Sequence, residues 1–261
     1  MGTRMGSLTQ DKPKCMLDVG GRPLLHNTID VLRGAGCDKI VVIVGYNADV
    51  IDAPGCELIV NDDFQNNNIL HSLMCAREFL NDEVVCCYSD IWVEPEVAGQ
   101  LVAVKSDIAV VTDMDWRNYY INRSDHPISE AENVFVTDES QIRKIGKYLD
   151  PGNAGADRCG EFIGMWYMSA MGCKLFRDVF DEIDLAISMT DPFQHAEAWQ
   201  KSYITDLVQE IVDRGHQVHA VQIRMGWAEL DTVQDIERVE HIAEAQRLYT
   251  LHERVMSEGA M

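Results

Sequence analysis

Three cations, Arg4, Lys12 and Lys14, crowd into the run GTRMGSLTQDKPK near the start of the chain. Small residues let the backbone amides of such a loop turn in on phosphate oxygens, a forked guanidinium grips two oxygens together, and an ammonium adds a point charge. That is the chemistry of anion holding; a solvated basic loop is the plainer alternative. Two carboxylates far along the chain bear on the choice. Asp90 ends the apolar run VVCCYS, and Asp231 follows a strand-like stretch in WAELDTVQD. A carboxylate at the carboxyl end of a strand can hold Mg²⁺ over a bound triphosphate, and a second can share the ion. Each also has an ordinary reading, turn chemistry for Asp90 and a helix cap for Asp231. Taken together, the cationic loop and the two strand-end carboxylates favour nucleotide chemistry.

Composition narrows the partners. Lys and Arg number 22 against 43 Asp and Glu, a formal charge of -21 over 261 residues. Such a balance argues against nucleic acid or an anionic membrane as partner. The first 26 residues depart from it, since Arg4, Lys12, Lys14 and Arg22 outnumber Asp11 and Asp18. A small anionic ligand is therefore expected at this end. Eight cysteines with no C-x-x-C pair read as small core residues in a reducing compartment. With neither a leader nor an apolar run of about 18 residues, the expectation is a cytoplasmic, unanchored chain.

The elements that must carry these residues alternate. PLLHNTIDVLRGAG has helical spacing and stops at Gly34 and Gly36, and KIVVIVGY reads as a buried parallel strand. CELIVND, the helix NNILHSLMCAREFL and the strand EVVCCYSDIWV repeat the pattern. Ligands of such a sheet bind at the carboxyl ends of its strands. From about residue 107 short strands without crossover helices predict a mixed or antiparallel section. MGCKLFRDVFDEI and YITDLVQEIVDRG follow as helices, HQVHAVQIR as a strand, and a long amphipathic helix closes the chain. The loop over residues 148–160 is expected to be mobile. The fold class expected is α/β, a Rossmann-like mixed, mostly parallel sheet with helices on both faces, in one domain over 1–261.

The run GTRMGSLTQDKPKCMLDVGGRPLL resembles the signature loop of the sugar-phosphate nucleotidyltransferase superfamily, roughly GxGTR, LT, PK and PLL in order. YSDIWVE and WAELDTVQDIERVE resemble its second and closing signatures, so the likeness spans nearly the whole chain. It implies that Asp90 and Asp231 bind Mg²⁺, that Arg4 and Lys14 hold a triphosphate, and that Lys147 touches the acceptor's phosphate. Gly2, Thr3, Gly45, Tyr46 and Ser89 join the nucleotide-contacting set. NDDFQNNNILHSL and the short carboxyl end are most similar to CTP:phosphocholine and 2-aminoethylphosphonate cytidylyltransferases. The implied reaction moves CMP from CTP to a small phosphorylated or phosphonate amine, with a homodimer admitted. A sugar 1-phosphate acceptor and an inactive nucleotide-binding module remain alternatives.

An amine head calls for aromatic faces and carboxylates. Trp116, Tyr119 and Tyr120 beside Asp113 and Asp115 are one candidate group and Trp199, Tyr203 and Asp206 another, and the asparagine run 66–68, Asn68 included, is a candidate lining of the acceptor pocket; core packing and helix capping explain these residues equally well. The histidines show no ligand spacing and read as surface or structural. Members of the resembled family place an apolar strand ahead of the loop, whereas here the run begins at Gly2. A misassigned start or a trimmed chain is expected, with open strand edges and a slot in mid-sheet, poor folding or weak CTP binding.

Overall fold

The computed structural model describes residues 3–241. Helix α1 (Leu24–Gly34) forms where apolar residues recur at helical spacing, burying Leu24, Leu25, Ile29 and Leu32. It leads to β1 (Val41–Val44), which pairs in parallel with β2 (Glu57–Val60). Helix α2 (Ile69–Met74) is shorter than its sequence pattern, because the chain tightens into a 3₁₀ turn at Arg77–Phe79.

The run EVVCCYSDIWV splits into two strands, β3 (Val84–Cys87) and β4 (Ile91–Val93), with Asp90 in the turn between them. A third helix, α3 (Pro95–Val102), opens on a proline, whose fixed φ suits the first helical turn. The main sheet then gathers β5 (Ile108–Asp113), β6 (Glu132–Val136), β7 (Ile142–Lys147), β8 (Arg158–Met168) and β9 (His219–Ile223) in the order β7-β6-β8-β5-β9. β8 runs antiparallel to β3, β5 and β6, while β5 and β9 are parallel, so the sheet is mixed, as expected.

Helices α4 (Ala170–Ala186) and α5 (Ile204–Asp213) follow β8. Ser169 caps α4 by accepting from the Gly172 N–H at 3.1 Å. A Cβ at Gly172 would stand 1.8 Å from the Asp107 carbonyl oxygen, so only glycine lets the helix start this close to β5. The short β10 (Trp227–Glu229) pairs antiparallel with β4, and a helix starts at residue 233. The expected continuation of that helix past 241 lies outside the described residues, within which no helix is long and apolar enough to cross a membrane.

Two apolar clusters sandwich the sheet. Ile29, Leu32, Val42, Val85 and Cys87 belong to one, and Leu73, Ile43, Val84, Cys86 and Trp166 to the other. Among the described residues β1 pairs only with β2 and β3 only with β8, so the expected open edges are present, separated by a cavity of about 850 Å³.

Candidate active site

Hydrophobic anchors fix the amino-terminal loop. Met5, Cys15, Leu17 and Val19 are buried in the core that α1 covers. The turn at Thr3–Thr9 kinks at Gly6, whose φ of +57° favours glycine. Gly2 lies outside the described residues. Tyr46, just beyond β1, donates its hydroxyl proton to the Gln10 carbonyl at 2.8 Å, tying the strand end to the loop. Gly45 beside it has no room for a side chain, since a Cβ would meet Phe64 at 2.8 Å.

The β4–β10 ladder brings the two carboxylates together. Ile91 pairs with Glu229, and the Leu230 N–H donates to the Asp90 carbonyl at 2.8 Å. Asp90 and Asp231 therefore flank one point, and Lys14 fills it. Its Nζ bonds Asp231 Oδ1 and lies 3.5 Å from Asp90 Oδ2. Arg4 bridges Asp231 Oδ2 and Glu130 Oε2, each at 2.5 Å. His126 completes the shell, with Nδ1 2.9 Å from Asp231 Oδ2 and 3.6 Å from Glu229 Oε2.

Electrostatics follow from this crowding. Burial alone would raise the Asp231 pKa, but His126, Lys14 and Arg4 together hold it far below the carboxylate range. Burial works against the Lys14 charge, yet Asp90, Asp231 and Glu229 keep its pKa raised. Unlike Asp231, Glu229 has its pKa lifted, by burial and by Asp90, against the pull of His126 and Arg123. Cys15, packed beside Ser89 and Asp90, has its thiol pushed up by burial to about 11, an inert core sulfur and no nucleophile.

A buried framework supports the cluster. Arg123 grips Asp235 through two nitrogens at 2.8 and 2.9 Å, reaches Glu229 at 3.1 Å, and lies over the Tyr119 ring. Asp235 in turn accepts from the amides of Asp231 and Thr232. The helix-starting role open to Asp231 thus falls to Asp235, and the Asp231 carboxylate is left to face the cations.

A second group sits at the end of β7. The Lys147 ammonium is 4.4 Å from the Tyr203 ring centroid, and Glu132 stands opposite it in the β6–β7 register. Burial pushes Glu132 up to about 7 despite Lys147. Lys147, penalised by burial, keeps a raised pKa chiefly through Glu132, with Glu130 also contributing. Glu229 likewise acts on Glu132, so the two groups share one electrostatic neighbourhood.

Other candidates lie elsewhere. Trp116 is 2% exposed and donates its Nε1 proton to the Cys159 carbonyl, and Tyr120 donates its hydroxyl to Glu161 Oε1 at 2.5 Å. Both are core residues, and Tyr120 stands edge-on to His126 with the Arg123 guanidinium over its ring. Asp113 is spent on the Trp227 indole and two backbone amides. Asp206 accepts from the Tyr203 and His195 amides at the head of α5, and Asn68 donates to the Lys201 carbonyl. Sequence reasoning missed Glu130, Glu229, Arg123 and His126, which sit in short or irregular segments without periodicity. Alternation of charge and apolar residues in WAELD was the one available signal for Glu229.

The donor set suits a hard divalent cation. Two carboxylates already draw one cation between them, and ligand atoms of His126, Glu229 and Asp231 lie within 4.8 Å of one another.

The model of the MobA-like NTP transferase domain matches residues 1–163. The chain is 25% identical to a CTP:phosphoglutamine cytidylyltransferase of Campylobacter jejuni, over 90% of this chain and 94% of that protein. It is 27% identical to a 2-aminoethylphosphonate cytidylyltransferase of Lancefieldella rimae, covering 92% of this chain and 89% of the relative. The solved CTP:phosphocholine cytidylyltransferase of Streptococcus pneumoniae superposes with a TM-score of 0.68 at 20% identity, covering 93% and 94% of the two chains; that likeness is one of fold.

Proposed function

The chain belongs to the MobA-like NTP transferase domain family and is an enzyme of the nucleotidyltransferase class, and on that footing we propose that it transfers CMP from CTP to a small phosphate or phosphonate acceptor bearing a nitrogen group, with release of pyrophosphate. The observation that carries the proposal is the convergence of Lys14 and Arg4 with Asp90 and Asp231 at strand ends. The choice of CTP and of the acceptor class draws on the names of the relatives, phosphoglutamine and 2-aminoethylphosphonate cytidylyltransferases.

In the proposed reaction an acceptor oxygen attacks the α-phosphorus of CTP and pyrophosphate leaves. Both reactants are anions, so neutralising and aligning them is most of the work. Mg²⁺ is the ion proposed for Asp90 and Asp231; when bound it would offset phosphoryl charge and polarise the oxygens on phosphorus. Lys14 and Arg4, released from the carboxylates, would turn to the triphosphate. Lys147 would receive the acceptor's phosphoryl or phosphonyl oxygens in exchange for Glu132. Glu132 and the Tyr203 face would then be free for the acceptor's ammonium, where a cation–π contact is worth about 0.5–2 kcal/mol. Arg123 and Asp235 touch none of the reactants and hold Glu229 and the Asp231 backbone in place.

The test is pyrophosphate release with Mg²⁺, crossing CTP, UTP, GTP and ATP against phosphocholine, 2-aminoethylphosphonate, phosphoglutamine and a hexose 1-phosphate. Turnover with CTP and one nitrogen-bearing acceptor is the expected result; turnover only with the hexose 1-phosphate would overturn it.

A further inference from the structure

The second group of the site already holds an ammonium, that of Lys147. Its Nζ lies over the Tyr203 ring, and Glu132 stands opposite in the β6–β7 register. The carboxylates around it are buried. Glu132 is 8% exposed and accepts from Thr205 Oγ1 at 3.3 Å, and Asp206 is 1% exposed. A side chain that rests in a site shows which chemistry the site accepts, and Lys147 brings a compact head with three N–H donors.

One polar group beside this head is left over. The Tyr88 hydroxyl, just past β3, is buried and has no hydrogen-bond partner among the described residues. A buried hydroxyl in that state costs about 1–3 kcal/mol, so its retention calls for a reason. The Tyr88 ring stands edge-on to Phe162 and Trp166, members of the apolar cluster that also takes Ile204, Leu207 and Val208 of α5. Tyr88 therefore lies on the face of the sheet that α5 covers, with Tyr203 and Asp206 at the head of that helix. Its ring cannot fold back, because it rests against Gly164, where a Cβ would meet it at 2.5 Å.

The charges around the hydroxyl have one sign. Burial first, then Glu132, Asp90, Tyr203 and Asp206, raises the Tyr88 pKa well above the usual tyrosine value. Such surroundings repel an anion and favour a cation. The ligand group that suits this oxygen is a positively charged N–H donor.

Resting on the reading above, in which the acceptor carries a nitrogen group, we propose that this nitrogen is a primary ammonium and that Tyr88 selects it. The hydroxyl oxygen accepts one N–H, Glu132 accepts another, and the Tyr203 ring covers the head. The acceptor's ammonium takes the place that Lys147 Nζ leaves as it turns to the phosphoryl or phosphonyl oxygens. A quaternary head has no N–H to give. It would keep the Tyr88 hydroxyl unpaired and set methyl groups against the Glu132 carboxylate.

The test is the N-methyl series of 2-aminoethylphosphonate, from the primary amine to the trimethyl compound, with propylphosphonate as the uncharged isostere. Each is assayed with CTP in the wild type and in Tyr88→Phe. In the wild type kcat/KM is expected to fall by about 100-fold or more between the primary and the trimethyl head. Tyr88→Phe should raise the KM for the primary amine by about 10-fold and reduce the penalty of the first methyl, while the KM for CTP and the turnover of propylphosphonate stay within about twofold. A merely structural side chain would shift all of these together. Equal or faster turnover of the trimethyl compound would overturn the proposal and leave CMP transfer intact, and so would an equal loss by Tyr88→Phe on the amine and on propylphosphonate. Turnover confined to a hexose 1-phosphate would overturn the proposed reaction, and this inference with it.

Discussion

Glu132 and Lys147 face each other across the β6–β7 register, and burial has left the carboxyl on the edge of neutrality beside a charged amine. The pair is held by strands, not by a loop. It is therefore present before any ligand arrives, and the Tyr203 ring stands over the same ammonium.

The Glu132 shift makes stability depend on pH with a definite sign. Its pKa rises from the free value of 4.5 to about 7 in the folded chain. The folded state thus holds the proton to higher pH than the unfolded state does. Its contribution is fully present below about pH 4.5 and is lost as pH climbs through 7. Glu132→Gln should remove this dependence, worth up to about 3 kcal/mol. Urea midpoints of both proteins at pH 5 and pH 8 will show it: the wild type should lose more between the two than the variant.

Lys147→Ala should raise the KM for the acceptor by about 10- to 100-fold, the value of one charge-assisted contact, while leaving the KM for CTP within about twofold. Lys147→Arg should recover part of the loss. Steady-state kinetics with each substrate varied in turn will decide; an equal rise for both substrates would place Lys147 outside the acceptor site.

Asp90→Asn and Asp231→Asn should each lower kcat by about 10²-fold or more with the fold intact by circular dichroism. The Asp231 change also removes a carboxylate whose pKa is depressed. Its stabilising effect is present above the unfolded value near pH 4 and fades as pH falls below it. Acid titration of the variant should therefore show a shallower loss of stability below pH 4 than the wild type.

Arg123→Met should destabilise the protein by about 3–5 kcal/mol, because Asp235 and Glu229 lose their shared cation in a dry setting. The Arg123 and Asp235 side chains are each only 1% exposed. Adding Asp235→Asn should return part of the loss, measurable as Tm at fixed pH, whereas an additive double variant would mean the pair is not coupled.

The residues legible in the sequence were those with a local signature. Arg4 and Lys14 stand in a glycine-punctuated loop, Asp90 follows four apolar residues with a clear strand pattern, and α1 and α5 show helical spacing. What was hidden has no local period. β4 and β10 have three residues each, too few for alternation to register, yet their pairing is what sets Asp90 beside Asp231. His126 lies in an irregular stretch, and only the folded chain reveals it as buried and aimed at a carboxylate. Trp116 and Tyr120 misled in the other direction. An aromatic near acidic residues has the same sequence appearance whether it lines a pocket or, as here, fills a core.

The separation of partners along the chain has a consequence for how the site comes into being. Arg4 meets Asp231 across 227 positions, and Lys14 meets it across 217. Closing loops of that length costs entropy that two ion pairs do not recover alone, so the sheet must already be in place. During synthesis the first loop emerges long before β10 exists, and its cations have no carboxylate from that end of the chain to meet. The Arg4–Asp231 and Lys14–Asp231 contacts therefore form only once β10 has been made and paired.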